Sequence, residues 1–184
     1  MPVTSDTCFA CERLIPDGGG AAFDGGQIRH IACYLDGEDA TVPRHETLSR
    51  ADQHLVGVHV LLVGDDASTA ELLTAALEYC GAFVTHAADV DASRAVLRQF
   101  RPHVIVSDIS MPHDGFEVVR DVIAFAAASG VRVPAVAILT ARNGRERLRE
   151  AGFSAFICRP FDPFLLSAVV DKLAKSHAVL RRKR

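Results

Sequence analysis

No apolar run in this sequence approaches the roughly 18 residues that a membrane-spanning helix needs. The polar start, Met1 to Thr7, has no basic stretch leading into an apolar core, so no secretory leader is expected. Cationic surplus is missing too. Twenty lysines and arginines face 23 aspartates and glutamates, a formal net charge of -3, which leaves no overall field to draw the chain onto nucleic acid or an anionic membrane. Cysteines number only five. An odd set of this kind suits metal ligation or burial in a reducing compartment better than a disulfide framework, and a cytoplasmic location is the expectation. No internal repeat occurs, and no Walker lysine follows Gly18-Gly19-Gly20, so that cluster reads as a turn and not as a phosphate cradle.

What is present is enough to fold. About half of the 184 residues are apolar (49%), which suits one domain of ordinary size plus a small extra module. Residues 1–36 hold three of the cysteines and the glycine-rich stretch. Residues 37–55 are polar and read as a linker, with a helical turn around Glu46 to His54. From residue 56 a new rhythm starts and runs to about 176, and residues 177–184 form a basic tail that reads as solvated.

In the second region short apolar runs alternate with helical patterns. Val58 to Val63, residues 82–87, Val104 to Ser107, Ala135 to Leu139 and Ala155 to Cys158 read as strands, near-continuous in apolar residues as parallel strands covered on both faces are. Between and after them, helices are expected over about Ser68–Tyr79, Asp91–Phe100, residues 116–128, Glu146–Ala151 and Pro163–Lys175. Five strands alternating with five helices imply an α/β fold with a doubly wound, five-stranded parallel sheet. In such sheets the site lies beyond the carboxyl ends of the strands. That rule gathers Asp65, Asp66, Asp108, Thr140 and Arg159.

The strings Leu62-Val63-Gly64-Asp65-Asp66, Ser107-Asp108-Ile109-Ser110-Met111-Pro112, Leu139-Thr140-Ala141 and Arg159-Pro160-Phe161 stand in order, each at an expected strand end. Together they resemble two-component response-regulator receiver domains of flavodoxin-like fold, over about residues 56–176. The chemistry agrees. A carboxylate is a usable nucleophile in covalent phosphoryl transfer, and clustered carboxylates favour a hard divalent cation with oxygen ligands. The resemblance implies that Asp108 accepts a phosphoryl group from a histidine kinase or phosphotransfer protein. It further implies that Asp65, Asp66, Asp108 and the main-chain carbonyl of Ser110 hold Mg²⁺, that Thr140 contacts the phosphoryl oxygens, and that Phe156 stands at the position of a switching aromatic. Self-phosphorylation and dephosphorylation would be the only chemistry. Taken alone, Asp65-Asp66 could equally cap a helix, and Phe156 could be core. Three departures stand out: arginine replaces the usual lysine at residue 159, the loop after Pro112 is one residue short, and the segment from Thr140 to Arg159 is a few residues short.

The N-terminal segment carries Cys8-x-x-Cys11, then His30-x-x-Cys33. Two short-spaced pairs on turns supply the four tetrahedral ligands of a closed, structural Zn²⁺ site. The pattern resembles a LIM-like or zinc-ribbon-like knuckle. A segment this small draws its folding free energy from the metal. Cys80 and Cys158, in apolar surroundings, are expected to be buried. His113, close to Asp108 in sequence, reads as an exposed loop residue. The leading reading is a phosphorelay receiver that signals through an unknown downstream protein, since no output domain follows the last helix. Two alternatives remain: an adaptor that works without phosphorylation, and nucleic-acid binding through the zinc module, which the modest charge of residues 1–36 opposes.

Overall fold

The computed structural model describes residues 7–16, 20–24, 27–36, 53–108, 115–128, 130, 133–139 and 145–182. The five expected parallel strands are β3 (His59–Val63), β4 (Phe83–Ala87), β5 (Val104–Asp108), β6 (Ala135–Leu139) and β7 (Ala155–Cys158). Ahead of them lie β1 (Ala21–Asp24), β2 (Gln27–His30) and a short helix α1 (Ile31–Asp36). The remaining helices are α2 (Ala67–Tyr79), α3 (Val90–Gln99), α4 (Gly115–Ala128), α5 (Arg145–Glu150) and α6 (Pro163–Arg182). Among the described residues no helix is long and apolar enough to cross a membrane.

Helix ends follow local chemistry. Asp66 caps α2, its carboxylate accepting from the Ser68 N–H at 3.1 Å, and Asp89 caps α3 by accepting from the Ala92 N–H at 2.8 Å. After α2 the chain turns through Gly81 at φ +94°, and a side chain there would meet Val56 Cγ2 at 2.9 Å. Among the described residues α5 covers Arg145–Glu150, close to the expected Glu146–Ala151. By contrast, α6 continues past the expected Lys175 to Arg182. The residues after 175 include no glycine or proline to stop it, and alanine, leucine and arginine propagate a helix readily. The supposed tail is therefore helical as far as Arg182. The proposed helical turn around Glu46 falls largely outside the described residues. Leu55, assigned to the linker, is fully buried, and its N–H donates to the Cys80 carbonyl at 2.9 Å.

Among the described residues two strands join the expected five, and the sheet runs in the order β2-β1-β7-β6-β5-β3-β4. From β7 through β4 all neighbours are parallel. The hairpin β1–β2 then adds to β7 antiparallel, with Ala21 opposite Phe156 and Ala22 opposite Ala155. The N-terminal segment is thus continuous with the receiver-like sheet. Spacing alone could not show this, because strands of four residues beside glycines carry too little periodicity.

Residues alternate between the two faces. Val60, Leu62, Val106, Ile138 and Ile157 pack under Leu73 and Leu77 of α2 and Leu166, Val169 and Val170 of α6, together with Ala22, Ile31 and Tyr34 from the N-terminal segment. On the other face Leu61, Val63, Ile105, Ala137 and Phe156 meet Leu97, Val122 and Leu148, together with Cys8, Ile15 and Ala21. Both cores therefore recruit N-terminal residues.

Candidate functional site

β3 and β5 are neighbours, with Val63 opposite Ser107. After β3 the chain goes to β4 on one side, then crosses to β5 on the other, so the topological switch lies between β3 and β5. Asp65 and Asp66 follow the end of β3, and Asp108 ends β5. Gly64 lies beside the end of β5, where a Cβ would sit 3.4 Å from that of Asp108.

Asp108 is buried, 6% exposed, and its carboxylate accepts from Nη2 of Arg159 at 2.5 Å. Arg159 follows β7, its backbone N–H donates to the Leu139 carbonyl at 2.8 Å, and the bond to Pro160 is cis. Its other terminal nitrogen, Nη1, reaches Thr69 Oγ1 at 3.5 Å. Thr69 in turn donates to Asp66 Oδ2 at 2.5 Å. That bond, chiefly, with the Ser68 and Thr69 N–H groups and the Arg159 charge, holds the exposed Asp66 carboxyl below its ordinary range. Asp65 is exposed. The helix-capping reading of Asp66 is therefore correct locally, and the same residue also belongs to a chain of contacts from α2 through Arg159 to Asp108. The sequence reading missed Thr69. An Asp-x-x-Thr spacing at a helix start was the available signal, as the fourth residue comes back to face the cap.

Phe156 is almost fully buried, its ring 5.9 Å from that of Phe23 at a 42° tilt. Ser110, His113 and Thr140 lie outside the described residues. Cys80 is buried as expected, whereas Cys158, at the end of β7, is only partly so.

A second constellation lies in the N-terminal segment. The thiols of Cys8, Cys11 and Cys33 and a ring nitrogen of His30 all fall within 4.8 Å of one another, and among the described residues this is the one converging group of three or more such side chains. Residues 7–14 form a knuckle: Thr7 bridges Leu14, the Cys8 N–H donates to the Arg13 carbonyl at 2.8 Å, and Glu12 takes a left-handed φ of 56°. Nδ1 of His30 lies 3.4 Å from Cys11 Sγ and 3.9 Å from Cys33 Sγ. A tetrahedron of about 2.3 Å metal–sulfur bonds has edges of about 3.8 Å, so these separations suit one ion. Nε2 of His30 is 3.1 Å from the Leu14 carbonyl. A proton on Nε2 donated there leaves Nδ1 free to ligate, the usual outer-shell arrangement. Burial works against the Cys8 thiolate, yet backbone N–H groups of His30, Cys11 and Ala10 outweigh it and lower the thiol to about 6. Burial and the neighbouring thiols push Cys33 up to about 12. Three thiols this close resist joint ionisation unless a cation joins them.

Comparison with known proteins places the parallel part of the molecule. An uncharacterized 14.6 kDa protein of Leptolyngbya boryana is 35% identical over 124 residues, 65% of this chain and 92% of that protein. Response regulator Rre1 of Synechocystis is 33% identical over 121 residues, 63% of this chain and 51% of that protein, so the chain spans about half of Rre1. The receiver domain of the Pseudomonas aeruginosa sensor histidine kinase PA1611, solved with a magnesium ion coordinated in its active-site cleft, is 25% identical with a TM-score of 0.56, over 64% of this chain and 98% of that one. Residues 60–171, which span all five parallel strands and both acidic strand ends, match the response regulator receiver domain, and the chain belongs to that family of two-component signalling modules.

Proposed function

We propose that Asp108 accepts a phosphoryl group from a histidine kinase or phosphotransfer protein, and that the chain passes the signal on by protein–protein interaction. The observation that carries this reading is the buried Asp108 carboxylate at the end of the central strand β5, beside the switch point and held by Arg159. A carboxylate oxygen of Asp108 attacks phosphorus as the P–N bond to the donor imidazole breaks. The new P–O bond makes an acyl phosphate that water later hydrolyses. Asp65, Asp66 and Asp108, with the Ser110 carbonyl, would supply the all-oxygen donor set that Mg²⁺ prefers, and a magnesium ion is coordinated in the active-site cleft of the PA1611 domain. Bound there, Mg²⁺ neutralises charge on the transferring group. Thr140 is assigned to the phosphoryl oxygens and Phe156 to the response.

Incubation with acetyl phosphate and Mg²⁺, followed by intact-mass spectrometry, is expected to add one phosphoryl group, suppressed by EDTA and abolished in Asp108→Asn. Labelling that survives Asp108→Asn would sink the assignment. A second reading has its own support. Arg159 engages both Asp108 and Thr69. A receiver fold locked in this way could serve as an adaptor without phosphorylation, and absence of any mass gain in the folded protein would favour it.

The cluster of Cys8, Cys11, His30 and Cys33 is assigned to one structural Zn²⁺, with no open position for a substrate. Elemental analysis should find about one zinc per chain in protein purified without chelator, and none in Cys8→Ser/Cys11→Ser. Zinc-free wild-type protein would end this assignment.

A further inference from the structure

We infer that metal at the cysteine–histidine cluster clamps the β1–β2 hairpin onto β7, and so tethers the strand that delivers Arg159 to Asp108. The inference rests on the zinc assignment above. The hairpin's direct hold on the sheet is small: two paired residues, plus the Phe23 N–H donating to the Ser154 carbonyl at 2.8 Å. A ladder that short is marginal by itself. What fixes it is the surroundings. Cys8, Ile15 and Ala21 bury themselves on the Phe156 face, and Ala22, Ile31 and Tyr34 on the opposite face. These residues sit on separate stretches of chain, the knuckle on one side and β1, β2 and α1 on the other. The four ligands join the same stretches, Cys8 and Cys11 from the knuckle, His30 from the end of β2 and Cys33 from α1. An ion that ties knuckle to hairpin therefore holds both sets of apolar contacts together. By thermodynamic linkage, docking on β7 must strengthen metal retention by the same factor.

The coupled strand is a short one. Phe156, under the hairpin, is on β7, and Arg159, on Asp108, directly follows its end. Gly20 marks how close the hairpin comes: a Cβ there would stand 2.9 Å from the Phe156 carbonyl oxygen and 2.9 Å from Ile31 Cγ1. Gly20 ligates nothing, so Gly20→Ala crowds the contact with β7 while the four ligand residues stay unsubstituted.

Hydrogen exchange by mass spectrometry on the full chain tests the clamp, comparing zinc-loaded protein, chelator-stripped protein and zinc-loaded Gly20→Ala. Stripping is expected to speed exchange across Ala155–Arg159 by about tenfold or more while β3 and β5 keep their protection. Gly20→Ala should show the same local loss and release zinc to a competing chelator about tenfold more readily. Zinc binding with β7 equally protected in the loaded and stripped protein would overturn the clamp and leave the zinc site standing. Loss of protection in β3 and β5 as well would overturn it in favour of a metal needed for the whole fold. A wild-type chain that takes up no zinc overturns both the clamp and the assignment beneath it.

Discussion

Phe156→Ala will destabilise the protein by about 3–5 kcal/mol, the range for truncating a fully buried aromatic ring. The ring is 1% exposed and shares its core with Leu148 of α5, Ala137 of β6 and the N-terminal Cys8, Ile15 and Ala21. Its removal leaves a cavity among those side chains, over a sheet that strand pairing to β1 and β6 keeps from collapsing far. The edge of Phe23 would also lose its neighbour. Urea unfolding followed by far-UV circular dichroism measures the loss. The transition should stay single, because both cores draw on both parts of the chain. A loss under about 1 kcal/mol would show that the ring does not fill the core as described.

Arg159→Ala will cost about 2–3 kcal/mol, less than for a fully enclosed ion pair because the Arg159 side chain is 32% exposed. The cost arises at Asp108, whose side chain is 8% exposed and loses its nearest cation. Adding Asp108→Asn should return much of the stability, since a neutral amide needs no countercharge. A double-mutant cycle built from the four proteins should give a coupling of about 1 kcal/mol or more. Strict additivity would show that the ion pair carries no net stability. Arg159→Lys is the informative conservative change. An ammonium can keep the charge on Asp108 but not the second arm that reaches Thr69. Recovery of stability with faster phosphoryl labelling would locate the restraint in the arginine fork.

The parallel strands were legible because burial on both faces leaves nearly unbroken apolar runs: Val60 to Val63, Val104 to Val106 and Ala135 to Leu139 are all buried. The meeting of Asp108 with the residues after β3 and β7 followed from the rule that such sites lie beyond the carboxyl ends of the strands. Cys8, Cys11, His30 and Cys33 were legible from spacing alone, and the structure brings their ligand atoms together. What could not be read was the relation between the two parts. Strand β1 is Ala-Ala-Phe-Asp, too short for a period, and its partner on β7 lies more than a hundred residues away. Nothing in the local pattern of Phe156 distinguishes a ring packed under Phe23 from one packed under a helix. Thr69 was missed for the opposite reason: a threonine in the first turn of a helix is ordinary, and only the approach of Arg159 across the sheet gives it a second role.

The hairpin also changes which strand forms the rim of the sheet. Ala-Phe-Ile-Cys, the sequence of β7, is a short apolar strand, and as a rim its open N–H and C=O groups would offer a template for pairing with other chains. With β1 and β2 in place the rim becomes Gln-Ile-Arg-His. This strand is four residues long, carries a cation, and has the Ile28 carbonyl already occupied by the Phe9 N–H while Arg29 lies over the Phe9 ring. Short, charged and partly covered rims are how sheets avoid aggregation. The N-terminal knuckle and hairpin therefore exchange an apolar rim of the sheet for a charged, partly covered one.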